Sequence, residues 1–136
     1  DKGIFDFDKL IDETVEHPSD DKIVCVKTMN PDEKFYKDHF PRFPVTPIVM
    51  INEMIGQAAA CLLCPNDPRA LIPISVDGIK IRNFVKPGEQ VTTEITVKSR
   101  KELPNGNTAL ATVAQVTKDG KTILRGKYIY ELKANS

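Results

Sequence analysis

The chain contains one long apolar stretch, residues 48–63, which reads IVMINEMIGQAAACLL. Pro47 precedes this stretch, and a proline suits the first turn of a helix because its missing N–H would be unpaired there anyway. Pro65 and Pro68 follow and end the helix. Apolar residues lie nearly all the way round, which is typical of a helix buried on most faces. We therefore predict one buried helix that carries a carboxylic acid, Glu53, near its middle.

The sequence on both sides of this helix contains segments that favour antiparallel strands. Residues 22–29 form a short, β-branched run before the helix, and apolar residues alternate with polar ones over residues 91–98. The Asn-Gly pair at 105–106 and the Asp-Gly pair at 119–120 are strong hairpin signals. The last strand places five residues on one face, namely Leu124, Gly126, Tyr128, Tyr130 and Leu132. These patterns predict a meander of three long strands.

Three further segments complete the prediction. Residues 5–16 have helical spacing and indicate a short amphipathic helix that ends at His17-Pro18. Residues 30–46 contain three prolines and are mostly loop, and residues 71–84 hold two short strands. We predict a single α+β domain over residues 1–136, with an antiparallel sheet wrapped around the long helix and a second subunit covering what remains exposed.

Composition excludes several classes of protein. The 136 residues include 19 Lys+Arg and 19 Asp+Glu, so the formal net charge of zero gives no sign of nucleic-acid binding. The apolar stretch is shorter than the roughly 20 residues of a membrane span, and no basic segment followed by an apolar one suggests secretion. We expect a cytoplasmic protein that binds neither nucleic acid nor membrane.

The three cysteines, Cys25, Cys61 and Cys64, are an odd number in a chain without an export signal. This favours reduced thiols. A zinc site built on Cys61 and Cys64 would need two more ligands at suitable spacing, and a redox-active pair would open a helix rather than close one. We predict buried, inert thiols, with no metal and no cofactor.

Acid–base chemistry is the clearest functional signal. His39 lies in the proline-rich loop, Glu53 lies fourteen residues later, and Gln57 shares a helix face with Glu53. Burial among apolar side chains favours the protonated form of a carboxylic acid, which a general acid needs. A histidine can act as a base near neutral pH. The plainer interpretation is a solvent-facing loop histidine and an interface glutamate hydrogen-bonded by Gln57.

These residues also resemble a known family. Residues 38–47 read DHFPRFPVTP and are followed by Glu53 and Gln57, a pattern similar to the FabZ/FabA-type β-hydroxyacyl-acyl-carrier-protein dehydratases. Further similarity lies in KIVCVK at 22–27, DGIKIR at 77–82 and VKPGEQV at 85–91. The resemblance implies the hotdog fold, a homodimer or higher oligomer with active sites at its interface, and a lyase that needs no cofactor.

The resemblance also implies residue roles. His39 would be the base that removes the α-proton of a 3-hydroxyacyl thioester, and Glu53 of the opposite subunit would be the acid. The backbone N–H of Ile48 would stabilise the thioester oxygen, and Gln57 would orient Glu53 or a water. The acyl chain, carried on acyl carrier protein or coenzyme A, would lie against four apolar side chains: Phe40, Phe43, Val45 and Ile51.

Two departures from the family pattern bear on substrate binding. Arg42 and Ile48 stand where the family has glycine. Arg42 is either a surface charge or a contact for a phosphate of the carrier, and Arg82, with Lys80 and Lys86, could receive an acidic carrier protein. Two alternatives to a dehydratase stay open: a thioesterase in which Glu53 activates water, and a non-catalytic protein that binds acyl chains or carriers.

Overall fold

The computed structural model of the protein describes residues 13–29, 48–86 and 88–134. Within these residues one α-helix packs against an antiparallel sheet whose strands lie in the order β1-β2-β4-β5-β6-β3. The predicted α+β class is confirmed. The elements in chain order are β1 (Glu13–Ser19), β2 (Lys22–Thr28), α1 (Ile48–Leu63), a 3-10 turn (Pro68–Ala70), β3 (Leu71–Ile81), β4 (Gln90–Glu102), β5 (Thr108–Lys118) and β6 (Lys121–Leu132).

Helix α1 has the predicted bounds. It packs against β2 and β4, and the side chains of Met50, Ile51, Met54 and Ile55 are at most 2% exposed. They belong to one hydrophobic core that also receives the inward side chains of β2, β4, β5 and β6. No helix among the described residues is long and apolar enough to span a membrane.

The predicted meander is confirmed in strands β4, β5 and β6. Val91, Thr93, Ile95 and Val97 are buried while the residues between them are partly exposed, as the alternation predicts. The Asp-Gly pair at 119–120 joins β5 to β6, and both residues have positive φ angles, 50° and 77°. Two positive φ angles define the type I′ turn, whose twist matches that of the flanking strands.

Strand β3 differs from the prediction of two short strands. It is one continuous strand paired with β6, but the pairing shifts twice. Between Pro73 and Ser75, and again between Asp77 and Lys80, β3 has one residue more than β6. Gly78, at the second shift, has a positive φ of 61°. These two bulges break the regular alternation, so the sequence resembles two separate runs.

The predicted helix over residues 5–16 is wrong at its C-terminal end. Residues 13–19 form strand β1, which continues through Pro18 and pairs with β2. Thr14 lies opposite Cys25 in this pairing. Because β2 otherwise has an open edge, its backbone hydrogen bonds outweigh the local helical pattern. Residues 5–12 and the predicted loop at 30–46 lie outside the described residues.

Candidate active site

Glu53 lies in the second turn of α1 and is exposed, although its neighbours Ile51 and Met54 are 2% and 1% exposed. The prediction that Glu53 is buried is therefore wrong for a single chain. The sheet covers the side of the helix that carries Ile51 and Met54, so the Glu53 side chain lies away from that side. Gln57 follows one turn later and is half-buried. The structure thus keeps these two predicted site residues on one face of α1.

The N-terminus of α1 is the predicted place for the thioester oxygen. The helix begins at Ile48, and the first N–H groups of a helix have no partner within it. They carry the positive end of the helix dipole, which attracts developing negative charge. Only the backbone of Ile48 is described; its side chain lies outside the described residues. Five further predicted site residues also lie outside the described part of the chain: His39, Phe40, Arg42, Phe43 and Val45.

A hydrogen bond next to Glu53 joins the helix to the sheet. The Tyr128 hydroxyl of β6 donates to the Oδ1 atom of Asn52 at 2.6 Å. Burial raises the pKa of Tyr128 to about 12. The pKa of Tyr130 is raised mainly by burial, with smaller electrostatic contributions from Tyr128 and Glu53. Both hydroxyls therefore keep their protons at neutral pH.

The inward face of β3 extends this region with exposed apolar surface. Val76 lies opposite Tyr128 and Ile81 lies opposite Leu124, so both share the inward face of β6. Ile79 also lies there, because its Cγ1 atom is close to Gly126. All three are exposed by 36% or more, since α1 packs mainly on the other half of the sheet. The exposed apolar surface of β3 therefore lies beside the buried Tyr128, on the same inward face of the sheet.

The predicted carrier-binding side chains lie around the end of β3. Lys80, Arg82 and Lys86 are all exposed. The Arg82 backbone N–H donates to the carbonyl of Ile123 at 2.9 Å, which extends the pairing with β6 beyond the end of β3. The backbone is therefore fixed while the cationic side chains face solvent. Ile51, in contrast, is buried in the main core, away from this surface.

The thiols fit the predicted inert role. Cys25, Cys61 and Cys64 form no disulfide bond; Cys25 and Cys64 are buried and Cys61 is half-buried. Burial raises the pKa of Cys61 and Cys64 above the usual thiol value, which lowers their reactivity. Within residues 13–29, 48–86 and 88–134, no group of three or more His, Cys, Asp or Glu side chains is placed to hold a metal ion.

Comparison with known proteins identifies the family. The family model ApeI-like, described as ApeI dehydratase, matches residues 15–118. The chain belongs to the ApeI-like dehydratase family. This ApeI-like chain is also similar to the 3-hydroxyacyl-[acyl-carrier-protein] dehydratase FabZ of Oenococcus oeni, with 36% identity over 107 residues, 76% of this chain and 77% of the relative.

A second FabZ, from Koribacter versatilis, is 34% identical over 92 residues. This match covers 65% of this chain and 59% of the length of that enzyme. Among solved structures, the dehydratase heterocomplex ApeI:P from Xenorhabdus doucetiae has a TM-score of 0.73 at 11% identity, with 93% of this chain and 84% of that chain covered. The predicted FabZ/FabA-type dehydratase and its hotdog fold are confirmed.

Sequence reasoning missed the tyrosine contacts of the site. Asn52, Tyr128 and Tyr130 have no place in the motif that carries the family resemblance. Two signals in the sequence point to them: a polar Asn52 in an apolar helix needs a partner, and the two tyrosines lie on the inward face of the last strand. Their pairing joins residues 76 positions apart, which no local pattern predicts.

Proposed function

We propose that this ApeI-like chain removes water from a 3-hydroxyacyl group held as a thioester on acyl carrier protein, and forms the trans-2-enoyl thioester. The observation that carries the proposal is Glu53, an exposed carboxylic acid and the one charged residue of the largely apolar helix α1, in a dehydratase-family chain. The names of the FabZ relatives supply the class of substrate. Such a reaction belongs to the building of fatty acids or related acyl chains.

The elimination needs one base and one acid. In this proposal His39 takes the α-proton, the released electron pair forms the carbon–carbon double bond, and the 3-hydroxyl leaves as water with a proton from Glu53. Return of the proton from His39 to Glu53 restores both groups. Each assisted proton transfer contributes about 10²–10⁴-fold to the rate. Gln57, half-buried one turn after Glu53, orients the acid or a water molecule.

Negative charge grows on the thioester oxygen as the α-proton leaves. The N–H of Ile48 is the proposed donor, because α1 begins at this residue and its N-terminus favours an anion. An isoleucine keeps the N–H that a glycine would supply there. Because isoleucine carries a β-branched side chain where glycine has only hydrogen, we expect this departure to restrict the thioesters that the chain accepts.

Two copies of the chain complete the site in this proposal. Strand β3 is an edge of the sheet and exposes apolar side chains, and Glu53 is exposed in one chain. Exposed apolar surface of this kind marks an interaction site. A second copy at β3 would cover it and bring His39 of one copy to Glu53 of the other. Sedimentation at micromolar concentration should give twice the mass of the chain; a single-chain mass would contradict this assembly.

Substrate contacts follow from the same arrangement. Phe40, Phe43 and Val45 are the proposed walls of the acyl site; Ile51, the fourth predicted wall, is 2% exposed in the core of the single chain. Arg42 and the exposed Arg82 are proposed contacts for the phosphate and acidic surface of the carrier. We place the reaction in the cytoplasm, a reducing compartment, because none of the three cysteines forms a disulfide bond.

A hydration assay tests the proposed reaction and separates its alternatives. The purified chain is mixed with crotonyl and 3-hydroxybutyryl thioesters of acyl carrier protein and of coenzyme A. Reversible interconversion of the two thioesters supports a dehydratase, and a lower KM for the carrier form supports the proposed partner. Release of free thiol would instead indicate a thioesterase, and binding of both without turnover would indicate a non-catalytic acyl-binding protein.

Substitutions assign the two roles. Both His39→Ala and Glu53→Gln should lower kcat by about 10²–10⁴-fold, because each removes one proton transfer. Glu102→Gln is the matched control, since Glu102 is an exposed carboxylate at the end of β4, and it should keep the kcat of the original chain. Full activity of His39→Ala would rule out the proposed base, and full activity of Glu53→Gln would rule out the proposed acid.

A further inference from the structure

We propose that Tyr128 is a positioning residue for Glu53 and acts through Asn52; this inference rests on the proposed role of Glu53. The Tyr128 hydroxyl donates to Asn52 Oδ1 at 2.6 Å, and Asn52 directly precedes Glu53 in α1. The bond therefore ties the helical turn that carries the carboxylic acid to strand β6. The Tyr128 hydroxyl is the donor in this hydrogen bond, because an amide oxygen can only accept.

Tyr128 is itself held in place. Its side chain is 3% exposed within the core, and its backbone pairs with Thr112 of β5 on one side and with Val76 of β3 on the other. Strand β6 lies between β5 and β3 in the sheet. The phenol ring thus emerges from the interior of the sheet, and its hydroxyl is a fixed point for the helix above it.

The helical turn that carries Glu53 needs a directional contact to fix its position. The side chains that pack α1 on the sheet are otherwise largely apolar, such as Met50, Met54 and Ile55, and apolar contacts carry little directional preference. A hydrogen bond restricts both distance and angle. The turn at 52–53 lies close to the N-terminus of α1, where few intrahelical bonds precede it. Loss of the Tyr128 bond would therefore let this turn rotate.

The charge around Glu53 is consistent with this role. Burial is the main cause of the raised pKa of Tyr130, with smaller contributions from Tyr128 and Glu53. Tyr130 is 3% exposed and follows Tyr128 on the same inward face of β6. The two tyrosines therefore share one surface of the sheet, to which the Tyr128 hydroxyl ties Asn52. A small displacement of a reacting group can lower a rate by about 10²-fold, so the position of this surface matters for turnover.

The test uses Tyr128→Phe, Asn52→Leu and the double variant in the hydration assay. Tyr128→Phe removes only the hydroxyl, and Asn52→Leu keeps the side-chain size and favours the helix. Each single variant should lower kcat about 10-fold and leave KM within about twofold, because the acid is displaced while the substrate site remains. The double variant should lose no more than either single variant, since both remove the same bond.

Thr112→Val is the matched control, because it removes another buried hydroxyl that bonds to Tyr128 but does not reach the helix. It should keep kcat within about twofold, even if its melting temperature falls. Losses of kcat that simply add in the double variant, or an equal loss in Thr112→Val, would overturn the inference. So would full activity of Tyr128→Phe beside an inactive Glu53→Gln. Full activity of Glu53→Gln would instead refute the proposed function on which the inference rests.

Discussion

Strands β3 and β4 are both long and both carry apolar side chains, yet these side chains are covered very differently. The inward side chains of β4 are buried, and Ile95 is 0% exposed. On β3 the exposed fraction lies between 36% and 55% for four apolar residues, Ile74, Val76, Ile79 and Ile81. Helix α1 packs on β2 and β4 and has little contact with β3. The chain therefore builds its stability around β4 and leaves the apolar surface of β3 available for assembly and substrate.

Matched truncations on the two strands should give the largest contrast. Ile95→Ala should lower the free energy of unfolding by about 2–5 kcal/mol, because it leaves a cavity in the core. Ile74→Ala should cost less than about 1 kcal/mol, since Ile74 is 55% exposed and exposed side chains contribute little to folding. Urea unfolding at submicromolar concentration measures both values. Equal losses would show that β3 is as important as β4 for folding of the single chain.

A charge on β3 should act on association and not on folding. Val76→Lys should raise the dissociation constant of the proposed dimer at least about 10-fold, because a buried unpaired ammonium costs several kcal/mol. Glu102→Lys at the exposed end of β4 is the control. Sedimentation over a range of concentrations measures the effect. Unchanged association of Val76→Lys would place the interface elsewhere.

Two glycine substitutions compare the packing between β3 and β6, at Gly126, with the packing around Gly56 of α1. A Cβ atom on Gly126 would lie 3.1 Å from Ile79 Cγ1 and 3.2 Å from Tyr128 Cε1. Gly126→Ala should therefore destabilise by about 1–3 kcal/mol. Apart from the two neighbouring residues and the backbone of the helix itself, no atom of the described residues lies within 4 Å of a Cβ built on Gly56. Gly56→Ala should therefore stabilise the helix by about 0.5–1 kcal/mol. The melting temperatures of the two variants measure both effects. A stabilising Gly126→Ala would show that β3 can move away from β6 to make room for the added methyl group.

The smallest effect concerns an ion pair beside β4. Lys118 Nζ lies 2.8 Å from Glu89 Oε2, and this hydrogen bond is the main cause of the lowered pKa of Glu89. A carboxyl whose pKa is lower when folded adds stability above its unfolded pKa and loses it as pH falls through the folded pKa. Glu89→Gln should therefore cost less than about 1 kcal/mol at pH 7. Urea unfolding between pH 7 and pH 3 should show a weaker acid dependence in the variant; identical slopes would contradict this.

The elements that depend on local patterns were predictable from the sequence. Helix α1 follows from its apolar run and flanking prolines, and the β5–β6 hairpin follows from its Asp-Gly turn. Strand β1 was not predictable, because its pairing with β2 outweighs the helical spacing of its own residues. The bulges of β3 were not predictable either, because they are defined by the partner strand β6.

The site follows the same rule. Glu53 and Gln57 were predicted from their type and spacing, and the structure places them on one face of α1. The exposure of Glu53 was predicted wrongly, because an apolar sequence around a residue does not show which side of the helix the sheet covers. The Tyr128–Asn52 bond joins distant parts of the chain, so only the assembled fold brings its two residues together.

The two bulges of β3 also protect the chain from aggregation. An exposed, flat and apolar edge strand can pair with the edges of unrelated chains and start fibre growth. Each bulge on β3 adds a residue and interrupts the regular spacing of its hydrogen-bonding groups. A foreign strand of regular geometry therefore cannot follow this edge for long, whereas a second copy has matching irregularities. Removal of the extra residue at Gly78 should thus make the chain more prone to form fibres before it changes the rest of the fold.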